Sequence, residues 1–211
     1  MNVGIFIFND IEVLDLGGPF EVFSVATRVK ARLEPGSLPP FNVFAIGETT
    51  IPIRTRGGLI VTPNHSFADH PRIDLLIIPG GIVSAELTKE TVISWITATA
   101  AQAKTIASVC TGSFLLAKTG LLNGKRATTH WEDIDDMQSM FPQVTVEKNV
   151  RWVEQENIIT SAGISAGIDM SLHLVSRLDS ESLALALATA KQMDYRWLPN
   201  NDDSTPKPLM P

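Results

Sequence analysis

Short apolar runs, each followed by a helical segment, constrain this chain more than any other feature. VGIFIF at 3–8, IDLLII at 73–78 and TIASV at 105–109 have the length and the β-branched composition of buried strands. The helical patterns that follow these runs lie at 18–32, 84–102 and 111–119. Strands that alternate with helices predict an α/β fold, with a mostly parallel sheet and helices on both faces.

The remaining patterns extend this prediction along the chain. Strands are predicted at 41–46, 143–153 and 157–161, a small hairpin at 51–63, and helices at 163–178 and roughly 180–194. Pro19 suits the first turn of the first helix, because proline lacks the N–H that would otherwise be unpaired there. The segment ATTHW at 127–131 starts one more transition from strand to helix.

Composition narrows the classes of protein that this chain resembles. A net charge of −6 without a basic stripe argues against a nucleic-acid partner. The first strand has no basic segment before it, and no stretch reaches the ~18 apolar residues of a membrane helix, so we expect neither a signal peptide nor a membrane partner. One cysteine excludes an internal disulfide and a Cys-rich zinc site, and it suits the cytoplasm. We predict one domain over 1–195, a polar, proline-rich tail over 196–211, and no metal or cofactor.

The single cysteine, Cys110, stands where a predicted strand becomes a helix. In α/β sheets, ligands bind beyond the carboxyl ends of the strands. A sharp turn there would project the sulfur out of the sheet, and N–H groups of Thr111, Gly112 and Ser113 would face it. A helix start stabilises a thiolate by only ~0.3–1 kcal/mol, so a further donor is needed. The alternative is a buried cysteine that acts as a small hydrophobic residue.

Other polar groups are predicted at the same edge of the sheet. Asp15 follows the first strand and is placed to transfer protons, or else to cap a helix. Gly80 and Gly81 end a strand, and with the N–H of Thr111 they form a candidate oxyanion hole, or else a plain tight turn. His130 is a candidate for orienting the thiol or a substrate, with a structural histidine as the alternative. The acidic residues Asp133, Asp135 and Asp136 read as a solvated helix face.

Four segments together resemble a known family. LDLGGPFEVF, IIPGG, SVCTGSFLLAKTGLLNGKRATTHW and TSAGISAGIDM resemble the ThiJ/PfpI branch of the class I glutamine amidotransferase-like superfamily. The resemblance implies a flavodoxin-like three-layer sandwich, a homodimer, and a reactive Cys110 on a nucleophile elbow. Amidotransferases and PfpI-type peptidases have His after this cysteine. Thr111 stands there instead, which argues against a Cys–His dyad.

Within the family, Asp15 together with the Cys-Thr-Gly elbow looks most like isonitrile hydratase. That resemblance implies hydration of an organic isonitrile to an N-substituted formamide, with Cys110 as nucleophile and Asp15 as proton donor and water activator. It also implies that the N–H groups of Thr111, Gly80 and Gly81 orient the water or stabilise developing charge. The backbone near Ile164 is expected to approach the Cys110 sulfur. His130 and Trp131 are candidate substrate contacts. Because carboxylate and thiolate repel, the pKa of one of the two groups must rise, and the pair titrates as a unit. If the sulfur is ionised, we expect Asp15 to be protonated.

Two further hypotheses remain open at this point. The same motifs occur in the amino-terminal domains of AraC-type regulators, and residues 196–211 are too few to hold the DNA-binding region of such a regulator. The chain is then either an enzyme or a stand-alone ligand sensor. A third hypothesis is a redox-responsive protein whose Cys110 forms a sulfinate.

Overall fold

Eleven strands and six helices occur in residues 1–177 and 182–198, which the computed structural model describes. In chain order the strands are β1 (Asn2–Phe6), β2 (Asn42–Gly47), β3 (Ile53–Arg54), β4 (Ile60–Val61), β5 (His65–Ser66), β6 (Leu75–Ile78), β7 (Thr105–Val109), β8 (Arg126–Ala127), β9 (Thr145–Val146), β10 (Trp152–Gln155) and β11 (Ile158–Ser161). The helices are α1 (Val13–Leu33), α2 (Glu90–Ala100), α3 (Gly112–Lys118), α4 (Ile134–Met140), α5 (Ala166–Val175) and α6 (Ser182–Gln192).

The main sheet confirms the predicted fold class. Within the described part of the chain it has seven strands in the order β10-β11-β7-β6-β1-β2-β5. Every neighbouring pair is parallel except β10 and β11. Helices α1, α5 and α6 pack together as one layer, whereas α2 and α3 contact each other. This arrangement is a flavodoxin-like α/β sandwich.

The apolar runs of the sequence form the centre of this sheet. All four residues of β6 are buried, and β1 and β7 flank it on either side. A strand covered on both faces has no polar alternation, which is why these runs read as continuously apolar. Their carboxyl ends therefore meet at one edge of the sheet, where the candidate site residues were expected.

Helix α1 begins earlier than the sequence indicated. It was predicted to start at residue 18 with Pro19 in its first turn, but Pro19 lies inside the helix. Leu16, Pro19 and Phe23 are buried at helical spacing, so the apolar stripe that packs on the core continues upstream of the proline. The consequence for the site is that Asp15 belongs to the first helical turn.

Other boundaries also differ from the predictions. The helix predicted at 84–102 is shorter, because a 3₁₀ turn at Glu86–Thr88 precedes α2. The strand predicted at 143–153 is two strands, of which β9 pairs with β8 outside the main sheet. The hairpin predicted at 51–63 is present as the antiparallel pair of β3 and β4.

The end of the described chain contacts α5. Leu198 donates its backbone N–H to the carboxylate of Asp169 at 3.0 Å, and the Trp197 indole donates to the Asp169 carbonyl oxygen at 3.2 Å. Arg151 also forms an ion pair with this buried carboxylate. Residues 199–211 of the predicted tail, and the junction at 178–181, lie outside the described residues, so the domain boundary at 195 stays a prediction. None of the described helices is long and apolar enough to cross a membrane.

Candidate active site

Cys110 occupies a strained turn between β7 and α3. Its backbone φ of 54° lies in the left-handed region, which non-glycine residues rarely adopt. Hydrogen bonds hold this conformation in place. The Cys110 N–H donates to the Ser161 carbonyl at 3.1 Å, and the Cys110 carbonyl accepts from the hydroxyls of Thr129 at 3.0 Å and Ser113 at 3.1 Å. A strained residue supported on three sides is typical of a functional position.

Close backbone contacts explain the small residues around this elbow. A Cβ on Gly112 would lie 2.0 Å from the Ile78 carbonyl oxygen, so only glycine lets α3 start directly beside β6. Gly81 has a φ of 135°, and a Cβ there would lie 2.3 Å from the Asp10 carbonyl oxygen. Both glycines serve to bring the loops after β1, β6 and β7 together.

These contacts place Asp15 against Cys110. Asp15 is fully buried, and its Oδ2 accepts the N–H of Gly80 at 3.0 Å. Its Oδ1 has no hydrogen-bond partner of normal geometry among residues 1–177 and 182–198. The Cys110 side chain, only 8% exposed as a residue, is close enough to interact with this carboxyl and to lower its pKa. The Gly80 N–H thus fixes Oδ2, whereas Oδ1 is available to the Cys110 thiol and to a molecule bound beside it.

Burial governs the ionisation of this pair. Loss of solvent raises the pKa of Asp15 to about 7, against the opposing effect of the Gly80 hydrogen bond. Loss of solvent and the charge of Asp15 raise the pKa of Cys110 to about 12, although the N–H and side chain of Thr111 oppose this. Above about pH 7 the pair therefore holds one proton, and the two groups titrate as a unit.

The same values indicate which group of the pair holds the proton. The sequence left this open, because a protonated Asp15 was expected only if the sulfur is ionised. In the structure the resting form is a thiol beside a carboxylate, because the pKa of Cys110 lies well above that of Asp15. The physical reason is that burial and the charge of Asp15 disfavour a thiolate, whereas one helix start stabilises a thiolate only weakly.

The two glycine N–H groups have partners other than those expected. Gly80 donates to Asp15, and Gly81 donates to the Thr111 hydroxyl at 2.9 Å. The same hydroxyl donates to the Gly81 carbonyl at 2.8 Å. Instead of pointing into an oxyanion hole, these groups position the carboxyl and the elbow. The Thr111 N–H faces the sulfur and lowers the pKa of Cys110.

His130 lies beside the turn between β11 and α5. A Cβ on Gly163 would lie 2.0 Å from its Cδ2, so the ring packs directly on that backbone. Its Nδ1 lies 3.5 Å from the Asp133 carboxylate and 3.7 Å from that of Glu132. Trp131 is 70% exposed, and its ring centroid is 5.6 Å from that of His130. Ile164 follows in the same turn and is partly exposed. Its approach to the sulfur stays a prediction.

Three contributors to this site are not evident from the sequence. Asp133 was assigned to a solvated helix face, yet it lies beside His130, and its charge raises the pKa of Cys110. Its position three residues after His130 was the available signal. The Thr129 hydroxyl holds the elbow, and the Glu12 charge raises the pKa of Asp15. Nothing in their local sequence distinguishes Thr129 or Glu12.

Across residues 1–177 and 182–198, no group of three or more His, Cys, Asp or Glu side chains is arranged to hold a metal ion. A cavity of about 340 Å³ lies elsewhere, at the amino ends of the strands, where Met1, Leu75 and Thr105 line it. It is at the edge of the sheet opposite to Cys110.

The fold and the site together define a class: α/β sandwich proteins with a cysteine on a strand-to-helix elbow and a buried carboxyl beside it. The family model of the DJ-1/PfpI family matches residues 1–177. The chain belongs to the DJ-1/PfpI family, which confirms the resemblance noted in its motifs.

The proteins to which this chain is similar differ in function. The chain is 33% identical over 207 residues to an isonitrile hydratase of Pseudomonas putida, covering 98% of this chain and 83% of that protein. It is 28% identical over 209 residues to the HTH-type transcriptional regulator GbdR of Pseudomonas aeruginosa, covering 99% of this chain and 54% of the regulator. The crystal structure of a ThiJ/PfpI family protein from Pseudomonas syringae superimposes with a TM-score of 0.79 at 26% identity, covering 97% of this chain and 78% of that one.

Proposed function

We propose that this protein hydrates an organic isonitrile to an N-substituted formamide. The observation that carries the proposal is the buried Asp15 carboxyl, whose Oδ1 lacks a hydrogen bond of normal geometry within the described residues beside the Cys110 thiol. Such a pair can move one proton between sulfur, oxygen and a bound molecule. The 33% identity to an isonitrile hydratase supports the choice of substrate class.

In the first step the Cys110 sulfur attacks the terminal isonitrile carbon. The S–C bond forms while the thiol proton passes to the Asp15 carboxylate and then to the same carbon. The product is a thioimidate, R–N=CH–S–Cys110. A resting thiol beside a carboxylate suits this step, since the nucleophile is deprotonated only as it attacks and the proton remains available for the carbon.

In the second step water hydrolyses the thioimidate. The Asp15 carboxylate removes a proton from the water as its oxygen attacks the carbon, and it passes this proton to the nitrogen to give R–NH–CH(OH)–S–Cys110. The C–S bond then breaks, which releases the formamide and returns the second water proton to the sulfur. The Thr111 N–H, which lowers the pKa of Cys110, stabilises the departing sulfur.

The test is turnover of a simple isonitrile such as cyclohexyl or para-nitrophenyl isocyanide. We expect the purified protein to form the formamide, and the Cys110→Ala variant to form none above the uncatalysed rate. The proposal is wrong if the wild-type protein gives no product, or if Cys110→Ala retains its rate.

A second candidate is a ligand sensor that binds without catalysis. The similarity to the regulator GbdR favours this candidate. This chain matches about half of the length of that regulator. The raised pKa of Cys110 also fits a sensor if Asp15 does not accept the thiol proton during attack, because a thiol that stays protonated is a poor nucleophile. A sensor would bind a small molecule at the same site and leave it unchanged after prolonged incubation.

A further inference from the structure

Two buried threonines precede His130 in the segment ATTHW at 127–131. Thr128 and Thr129 are each 1% exposed, whereas Trp131 is 70% exposed. Because a buried hydroxyl needs a hydrogen-bond partner, the contacts of these two side chains show what the segment holds together.

Thr128 attaches the segment to the main sheet. Its N–H donates to the hydroxyl oxygen of Thr160 at 2.8 Å, and its own hydroxyl donates to the Glu147 carbonyl at 2.9 Å. Thr160 lies in β11, the strand that pairs in parallel with β7. The segment is therefore fixed to the neighbour of the strand that ends at Cys110.

Thr129 extends this attachment to the elbow. Its hydroxyl donates to the Cys110 carbonyl at 3.0 Å. On the other side of the same residue, the Cys110 N–H donates to the carbonyl of Ser161, the last residue of β11. Ser113 also donates its hydroxyl to the Cys110 carbonyl, but Ser113 belongs to the helix that starts at the elbow. Thr129, 19 residues away, holds this carbonyl from another part of the chain.

The conformation of Cys110 determines where its sulfur lies. A φ of 54° is unfavourable for cysteine and persists only where surrounding contacts enforce it. Rotation of this backbone towards an ordinary negative φ would swing the Cβ and the sulfur away from their present neighbours, among them Asp15. Because the charge of Asp15 raises the pKa of Cys110, that pKa reports whether the sulfur is in place.

We propose that Thr129 is a positioning residue for the nucleophile: its hydroxyl holds the Cys110 carbonyl and thereby keeps the elbow in the left-handed conformation that places the sulfur beside Asp15. Thr129 acts through the main chain of Cys110 and takes no part in proton transfer. Its effect on isonitrile turnover rests on the proposed function, whereas its effect on the thiol does not.

The pH dependence of alkylation tests the effect on the thiol. Cys110 is the only cysteine, so iodoacetamide reports on this sulfur alone. Thr129→Val removes the hydroxyl and keeps the branched shape of the side chain. We expect its alkylation rate at pH 8 to exceed that of wild type about fivefold or more, because a sulfur released from Asp15 ionises at lower pH. Asp133, whose charge also raises the pKa of Cys110, is unchanged in every variant.

Matched variants distinguish positioning from a general loosening of the fold. Thr129→Ser keeps the hydroxyl and should retain the wild-type profile. Thr189→Val makes the same exchange at a buried threonine in α6 whose hydroxyl has no partner among the described residues, so it should leave the profile unchanged. Thr129→Ala removes the hydroxyl without placing a methyl group against the Cys110 carbonyl, and it should act in the same direction as Thr129→Val. Circular dichroism at the assay pH establishes that each variant is folded.

The same exchange on the Asp15→Asn background is the sharpest comparison. If Thr129 holds the sulfur beside the Asp15 charge, Thr129→Val should change the alkylation rate at pH 8 by less than about twofold once that charge is absent. A general opening of the site would raise the rate equally on both backgrounds.

Several outcomes would overturn the positioning role. They are a Thr129→Val profile that coincides with wild type, an equal increase on the Asp15→Asn background or in Thr189→Val, and loss of the wild-type profile in Thr129→Ser. Failure of both Thr129→Val and Thr129→Ala to fold would also overturn it, because the hydroxyl would then be required by the whole fold.

Turnover of cyclohexyl isocyanide separates this inference from the proposed function. Thr129→Val should lower kcat about tenfold and change KM by less than about twofold, since a misplaced nucleophile slows the reaction more than binding. An active protein whose kcat is unchanged by this substitution would contradict the inference. A protein that hydrates no isonitrile, yet shows the expected alkylation rates, would retain the positioning role and lose only the reaction.

Discussion

Cys110 and Asp15 are both buried, and each changes the ionisation of the other. Because burial and the Asp15 charge raise the pKa of Cys110 to about 12, we expect a slow thiol at neutral pH. Its alkylation rate with iodoacetamide should keep rising from about pH 6 to pH 10. The rate of an ordinary cysteine would instead level off once the pH passes its pKa of ~8.5. The same protonation predicts slow conversion to a sulfinate by peroxide. A rate that levels off below pH 8 would contradict this prediction.

Asp15 should lower the stability of the fold at neutral and basic pH. Its pKa rises from 3.8 to about 7 on burial, so between these values the folded state binds more protons than the unfolded state. Stability from this group is complete below about pH 4 and is lost as the pH rises through 7, by at most about 4 kcal/mol.

Asp15→Asn measures this effect directly. The amide keeps the shape of the carboxyl and its acceptor for the Gly80 N–H, but it cannot ionise. Denaturant unfolding at pH 5 and pH 8 should therefore show that wild type loses more stability than the variant over this interval. An equal loss in both proteins would mean that Asp15 has an ordinary pKa.

The elements that carry the site are joined by close backbone contact, and α3 is the clearest case. Gly112→Ala would place a Cβ 2.0 Å from the Ile78 carbonyl oxygen, which is backbone and cannot move aside cheaply. We expect a loss of about 2 kcal/mol or more in the free energy of unfolding. Gly17→Ala in α1 is the control. It meets no atom within 4 Å, so it should be neutral or stabilising by up to about 1 kcal/mol. Equal effects of both substitutions would refute the close contact.

For helices and strands, the sequence predicts which elements are present more accurately than it predicts the residues at which they begin. The strands β1, β6 and β7 follow from their apolar runs, because burial on both faces leaves an unambiguous pattern. The start of α1 does not follow, because the local preferences of Gly17, Gly18 and Pro19 oppose a helix that packing on the core stabilises. Asp15 was consequently expected in a loop or first turn, and only the structure fixes its direction.

For the whole molecule, motif and topology together predict the edge of the sheet where the site lies, and the Asp15–Cys110 pair within it. The hydrogen-bond partners and the protonation state within the site are not predicted, because they depend on groups that are distant in sequence and come together only in the folded chain. The N–H groups of Gly80 and Gly81 are taken by Asp15 and Thr111, which no spacing in the sequence reveals. The position of the shared proton is likewise set by burial, a property of the complete fold.

We propose that Asp15 and Cys110 act as one unit that moves a proton to and from an isonitrile. The most direct measurement is the kcat of Asp15→Asn for cyclohexyl isocyanide at pH 8, beside wild type and the surface control Asp135→Asn. We predict a loss of about 10²–10⁴-fold in Asp15→Asn, in a variant at least as stable as wild type, and an unchanged kcat in Asp135→Asn. A folded Asp15→Asn variant that turns over as fast as wild type would contradict the account.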